Sequence, residues 1–142
     1  MNETTTSNFK RLIGIWKTEG TILNGTDPLR LTGTDSYEFI LDGNYILHKA
    51  DVLMGNQKSQ TYEIISLGSS PEKAIMHYYN SEGESGVMAA FLQGAVFRME
   101  GDKIKFEGTI DVQNTKVAGK WSVQGESEQW TDFIDLTLTK QR

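Results

Sequence analysis

The sequence predicts an all-β protein: one antiparallel barrel of about ten strands with a short N-terminal helix. Turn signals recur roughly every 8 to 14 residues, which is the spacing of a meander of short strands. Between the turns apolar and polar side chains alternate, and the apolar fraction of 37% suits a sheet that shows one face to water. Closing the sheet into a barrel removes the edges that so many strands would otherwise expose.

The length of 142 residues indicates a single domain that is large enough to bury a sizeable core. We expect residues 1–6, which are polar, to form a disordered N-terminus. Residues 7–142 are then predicted to form the barrel domain.

Ser7 marks the start of the only helical signal, because its side chain is suited to cap a helical turn. Phe9 and Leu12 fall on one face of that turn. Past Gly14 the apolar period becomes two, so that Trp16 and alternate residues after it share one face of the first strand.

Turn residues divide the rest of the chain into further strands. Asp42-Gly43-Asn44 is a hairpin turn by composition, since these residues tolerate positive φ. Gln93-Gly94 either separates two short strands or forms a bulge in one longer strand. The strands predicted after the first are 29–41, 45–54, 58–67, 74–80, 87–92, 95–100, 103–110, 117–123 and 129–140.

Composition argues against several classes of function. The net charge is −5 and the Lys and Arg residues are scattered, so we expect no nucleic-acid partner, because phosphate neutralisation supplies most of such affinity. The lack of Cys excludes disulfides and thiolate metal sites. No apolar stretch is long enough for a membrane span. We expect a cytoplasmic monomer or homodimer, unless a signal peptide has been removed.

The motif Gly14-x-Trp16 follows a single helical turn and opens the first strand. In this position it resembles the opening of the calycin barrels, which include lipocalins, fatty-acid-binding proteins and avidins. The resemblance implies that Trp16 plugs one end of the barrel and that a basic side chain of the last strand covers its ring. Lys140 and Arg142 are the candidates for that cation, and with Gly14 and Trp16 they form the predicted structural set.

Over nearly its full length the chain resembles uncharacterised, mostly bacterial lipocalin-like proteins of the domain-of-unknown-function class. The resemblance implies a barrel with an interior cavity, and it supplies no catalytic residues. The segments that carry it are Leu12-x-Gly14-x-Trp16-x-x-x-Gly20, Tyr62-Glu63-Ile64-Ile65-Ser66-Leu67 with Ser70-Pro71-Glu72-Lys73, Lys105-Phe106-Glu107-Gly108 and Leu136-Thr137-Leu138-Thr139-Lys140.

His48 alternates with Ile46, Ala50 and Val52, which predicts that it faces the interior. A histidine there can ligate haem, act as an acid or base, or hydrogen-bond the head group of a ligand. The alternative is a buried histidine satisfied by a neighbouring Tyr or a backbone carbonyl. Desolvation should lower its pKa below the usual value of about 6.5 unless a carboxylate pairs with it.

Aromatic residues occur on nearly every predicted strand, and those that point inward would line a cavity. Tyr62 and Tyr78 are candidate ligand contacts, although the run around His77 leaves open whether His77 or Tyr78 faces inward. Arg98 is a candidate partner for a ligand carboxylate, because its guanidinium suits bidentate contact. Its face depends on the register after Gln93-Gly94.

Neither a metal site nor a cofactor is predicted. Two His and no Cys leave only a mixed His/carboxylate metal site. The acidic pairs Glu82 with Glu84 and Glu126 with Glu128 are better explained as solvated loops. The sequence carries no phosphate-binding loop, dinucleotide fingerprint or nucleophile elbow.

The leading hypothesis is therefore a protein that binds a small apolar or amphipathic molecule inside the barrel. The second hypothesis is a barrel-cavity enzyme, resembling barrel-shaped decarboxylases and cyclases, that uses Tyr, His, Glu or Arg for acid–base chemistry. A third hypothesis makes the outer face an interaction surface, and the sequence shows no apolar outer stripe to support it.

Overall fold

Ten antiparallel strands close into one barrel in the computed structural model, which describes residues 7–23, 27–68 and 70–141. Each strand pairs with its neighbours in the sequence, and β1 pairs with β10 to complete the ring. The predicted all-β fold class is thus confirmed. The expectations for residues 1–6 and for Arg142 lie outside the described residues.

The secondary structure follows the predicted order, with one short 3₁₀-helix before the strands. The elements are the helix Asn8–Leu12 and the strands β1 Gly14–Ile22, β2 Leu29–Ile40, β3 Tyr45–Met54, β4 Gln57–Leu67, β5 Lys73–Asn80, β6 Ser85–Gln93, β7 Val96–Gly101, β8 Ile104–Ile110, β9 Lys116–Gln124 and β10 Trp130–Lys140. In the described part of the chain no helix is long and apolar enough to cross a membrane.

The turn after β6 decides between the two interpretations of Gln93-Gly94. Gln93 pairs with Val96, so Gly94 and Ala95 form a two-residue connection between separate strands. Gly94 has a φ of 59°, a conformation that glycine adopts without a Cβ penalty. This pairing fixes the phase of β7, because Phe97 and Met99 then face inward and Arg98 faces outward.

The helix closes one end of the barrel. The Ser7 hydroxyl accepts a hydrogen bond from the Phe9 backbone N–H at 3.1 Å, as expected of a cap. The Asn8 side-chain amide donates to the Leu92 carbonyl oxygen at 2.8 Å, which ties the helix to β6. Phe9 and Leu12 are buried against the inner faces of the strands.

Two apolar clusters fill the inner face. The larger one packs beneath the helix and includes Phe9, Leu12, Trp16, Ile46, Ile65, Met76, Leu92, Phe97, Phe106 and Leu138. The smaller one, Ile22, Leu31, Val52 and Ile134, lies towards the other end of β1, β2, β3 and β10. At the same end of the barrel, the inner positions of β4, β5 and β6 carry polar or small residues that are only partly buried. They are Ser59, Thr61, Asn80 and Gly86. Side chains at this end are less buried than those beneath the helix, and we call it the open end of the barrel.

Candidate functional site

His48 lies on the inner face of β3, with a carboxylate at each ring nitrogen. Its Nε2 is 2.6 Å from Oδ2 of Asp35 on β2, and its Nδ1 is 2.9 Å from Oε1 of Glu63 on β4. The Tyr37 ring stacks on the imidazole, with centroids 4.1 Å apart and planes 8° from parallel. The Thr18 hydroxyl donates to Oδ1 of Asp35. We call these five residues the His48 cluster.

Strand register explains how the cluster forms. His48 lies directly opposite Tyr37 on one side and Glu63 on the other. Asp35 is two residues from Tyr37, so both side chains point to the same face of β2. Directly opposed side chains on neighbouring strands are close enough to interact, and diagonal neighbours are within reach of long side chains.

The two carboxylates set the protonation of the histidine. Burial alone would lower the pKa of His48, but the hydrogen bonds and charges of Asp35 and Glu63 outweigh it and raise the pKa to about 10. A lowered pKa was predicted for His48 only if no carboxylate paired with it, and two carboxylates do. Burial, with Asp35 and Glu63 nearby, raises the pKa of the Tyr37 phenol well above its ordinary value. The cluster thus holds an imidazolium and a neutral phenol at neutral pH.

The cluster sits at the edge of the buried core. The His48 side chain is 15% exposed, compared with 10% for Asp35 and 6% for Glu63. Glu63 also lies opposite Tyr78 on β5, so one row of paired residues runs from Tyr37 to Tyr78 across four strands. Tyr78 is half-buried and packs against the larger apolar cluster. This row borders the open end of the barrel.

The candidate ligand contacts divide between the two faces. His48 and Tyr78 point inward, which leaves His77 outside. Tyr62 is 50% exposed on the outer face, where the Lys49 ammonium lies 5.5 Å from its ring centroid. Arg98 is also outside, over the Phe91 ring. Tyr62 and Arg98 therefore have no contact with the interior, and the suggested contact between Arg98 and a ligand carboxylate does not fit this placement.

At the closed end, the structural residues pack together. Trp16 is fully buried, and its Nε1 donates to the Leu12 carbonyl oxygen at 2.8 Å. The Lys140 ammonium lies 4.9 Å from the Trp16 ring centroid and donates to the Arg11 carbonyl oxygen at 3.1 Å. Gly14 has a φ of 135°, and the Lys140 side chain runs beside it. Lys140 is the described cation over this tryptophan.

Four members of the cluster, Thr18, Asp35, Tyr37 and Glu63, were not singled out from the sequence. Each occupies an inward position of a period-two strand, which is the signal that could have found them. An acidic residue in that phase is unusual, because ionised side chains are seldom fully buried unless they are paired. Within residues 7–23, 27–68 and 70–141 no group of His, Asp or Glu is arranged to hold a metal ion.

Two grooves lie on the outer surface. One, of about 710 Å³, runs over β1, β9 and β10 beside Glu19, Lys120 and Asp135. The other, of about 510 Å³, is more apolar and is lined by Leu47, Gln60, Tyr62, Ile64, Tyr79, Asn80 and Ser81. The expectation that the outer face has no apolar stripe was therefore wrong for β3 to β5. Pairing of these strands brings together outward apolar residues that are far apart in the sequence.

Comparison with protein-family models and with curated proteins gives no match. Among solved structures, the crystal structure of Rv2717c from M. tuberculosis is similar, with a TM-score of 0.74 and 11% identity over 94% of this chain and 95% of that one. A de novo designed fluorescence-activating β-barrel aligns with a TM-score of 0.49 and 13% identity over 93% of this chain and 95% of that one. At this identity the likeness to Rv2717c shows the barrel fold alone.

Proposed function

We propose that this protein binds a small amphipathic or apolar molecule inside the barrel, with the His48 cluster as the polar end of the site. The observation that carries the proposal is the cluster itself: two carboxylates and an imidazolium on the inner face of the barrel, next to a large apolar cluster. Ligand sites in proteins combine mostly apolar walls with a few polar groups that fix orientation. Barrels of this size and form are well suited to hold one small ligand.

The apolar side chains of the interior can adapt to ligands of different shapes. Met76, Met88 and Met99 face inward on β5, β6 and β7, and Met76 lies directly opposite Met88. Methionine side chains are flexible and polarisable, so they adapt to the outline of a bound molecule. The half-buried rings of Tyr78 and Trp121 pack against the same cluster. These side chains would surround the apolar body of the ligand.

We also propose that the chain is a lipocalin-like, calycin-type barrel. The support is the closed end, where a buried Trp16 after a one-turn helix lies under the Lys140 ammonium. That arrangement is what the resemblance of the Gly14-x-Trp16 motif implies.

A barrel-cavity enzyme is the second candidate, and the state of His48 limits what it can do. A general base must be unprotonated at the working pH, whereas the raised pKa of His48 keeps the imidazole protonated. Only a general-acid or charge-stabilising role is then open to it.

Native mass spectrometry tests the proposal. Protein purified without denaturation should carry an additional mass of a small organic molecule, and the mass should disappear after denaturation and refolding. Refolded protein should then regain an amphipathic ligand from a defined mixture, with a rise in Tm. A protein that is empty after every purification and shows no Tm shift with any amphiphile would contradict the proposal.

A further inference from the structure

We infer that the interior site selects an amphiphile with a cationic head group, such as a protonated amine, over one with a carboxylate. This inference rests on the proposed function, because it names the chemical class of the ligand for the same site. It follows from the balance of charge, the oxygen atoms left open and the position of the aromatic rings.

The His48 cluster carries a net negative charge. Counted formally, Asp35 and Glu63 contribute two negative charges and the His48 imidazolium one positive charge. That imidazolium already donates from both ring nitrogens to the two carboxylates. The other basic side chain on the inner side of the described strands is Lys140, which is engaged with Trp16 and the Arg11 carbonyl oxygen at the closed end. A ligand carboxylate would therefore meet net negative charge, with no free cation among the inward side chains of the described strands.

Two oxygen atoms of the cluster remain open, and they point to a ligand. Tyr37 is only 5% exposed, and none of the described residues forms a hydrogen bond with its hydroxyl. Glu63 is equally buried and accepts through Oε1, so that Oε2 has no hydrogen bond from the described residues. No side-chain polar atom in this part of the chain is both sealed from solvent and unpaired. The two oxygens must therefore border accessible space, where a hydrogen-bond donor can reach them.

Two tyrosines belong to the same row of paired residues as the open oxygens. Tyr37 and Tyr78 lie at the two ends of the row that contains His48 and Glu63. Gly86, opposite Tyr78 on β6, keeps room for the Tyr78 ring, since a Cβ there would lie 2.6 Å from the phenolic oxygen. The face of a tyrosine ring attracts a cation within about 6 Å, more strongly when water is excluded. An ammonium group here would have the open oxygens of Tyr37 and Glu63 as acceptors, with Tyr78 directly opposite Glu63 in the row.

Direct titration of three probes of matched chain length tests the inference. Octylamine, 1-octanol and sodium octanoate are each titrated into the ligand-free wild-type protein at pH 7.5 by calorimetry. We expect octylamine to bind at least tenfold more tightly than 1-octanol, and octanoate to bind more weakly than both. Because this comparison uses only the wild-type chain, it does not depend on whether any variant folds.

Two variants locate the selectivity. Tyr37→Phe removes the open hydroxyl and keeps the ring, and Glu63→Gln removes the negative charge next to the open oxygen. Each should weaken octylamine binding at least tenfold and change 1-octanol binding much less. Glu38→Gln on the outer face of β2 is the matched control, since it removes the same formal charge from an exposed position and should leave octylamine binding unchanged.

The possible outcomes separate the inference from the proposed function. Octanoate or 1-octanol binding as tightly as octylamine would overturn the inference and leave the proposed binding function standing. An equal loss in Glu38→Gln would also overturn it, because attraction by the net charge of the protein would then explain the preference. If none of the three probes binds, the inference fails, whereas the proposed binding function fails only if native mass spectrometry and the Tm screen with other amphiphiles are also negative.

Discussion

The imidazole of His48 is held between Asp35 and Glu63, with Nε2 2.6 Å from one carboxylate and Nδ1 2.9 Å from the other. This arrangement fixes the ring, since both nitrogens have partners and the Tyr37 ring covers one face. Buried ion pairs of this kind carry a large desolvation penalty and add little net stability, although breaking one is strongly destabilising. The His48 cluster should therefore make the stability of the protein depend on pH, and its charges should affect ligand binding.

The first prediction is that stability falls as the pH rises from neutral. The pKa of His48 is about 10 in the folded protein and about 6.5 in the unfolded chain, so only the folded state keeps this proton between those values. The stabilisation is complete below pH 6.5 and is lost progressively as the pH approaches 10. The free energy of unfolding should decrease by roughly 1 kcal/mol per pH unit within this window. Urea denaturation at pH 7, 8 and 9 measures the slope.

The two histidines of the chain provide the control. His48→Gln should abolish the slope, because it removes the group that titrates. His77→Gln should keep it, since His77 is exposed on the outer face. A slope that persists in His48→Gln would contradict the assignment of the proton to this residue.

The strands were predictable from the sequence, whereas the cluster depended on register. The sequence predicted a three-residue turn at 55–57, which would place His48 opposite Ile64. The observed turn is one residue shorter, because Met54 pairs with Gln57, and His48 therefore lies opposite Glu63. A shift of one residue exchanges the two faces of a strand. The predicted turn was one residue too long, so the strands were assigned correctly but the pairing of His48 with Glu63 was not predicted.

The face of Arg98 was undecidable for a related reason. The residues Gln93-Gly94 are compatible with a bulge or with a hairpin, and the two alternatives put Arg98 on opposite faces. The packing at the closed end was easier to predict, because Trp16 is the largest side chain of the first strand and Lys140 belongs to the last predicted strand. Closure of the barrel brings these two strands side by side, with Trp16 opposite Lys140.

The second prediction concerns Trp16. Trp16→Ala should lower the free energy of unfolding by about 3–5 kcal/mol, because it opens a cavity in the core and removes the ring beneath the Lys140 ammonium. Trp130→Ala is the matched control: Trp130 lies on the outer face, 42% exposed, with the Lys105 ammonium over its ring. Denaturation in urea should show a much smaller loss for the control. Equal losses would mean that Trp16 is not an anchor of the closed end.

The third prediction concerns Gly14, whose φ of 135° is strained for any residue with a Cβ. The Lys140 side chain lies 3.4 Å from the position that a Cβ would take, which is an ordinary van der Waals contact, so the expected cost comes from the backbone conformation. Gly14→Ala should therefore cost about 1–3 kcal/mol. Gly125→Ala is the control, because no atom of the described residues lies within 4 Å of its Cβ position and its φ is not in the left-handed range. Thermal denaturation should show little change for that variant, and an equal loss there would refute the strain argument.

The last prediction asks whether the cluster is present for stability or for binding. His48→Gln alone should cost about 3–5 kcal/mol, because it leaves Asp35 and Glu63 as two buried carboxylates without a cation between them. The triple variant Asp35→Asn, His48→Gln and Glu63→Gln has nearly the same shape and no charge in the cluster. It should be more stable than His48→Gln, since no charge then remains buried without a partner. The same triple variant should bind octylamine at least tenfold more weakly than the wild-type protein. Urea denaturation and calorimetry on the same samples measure both quantities. A triple variant that is less stable than His48→Gln yet binds octylamine normally would make the cluster a structural feature of the barrel and remove it from the binding site.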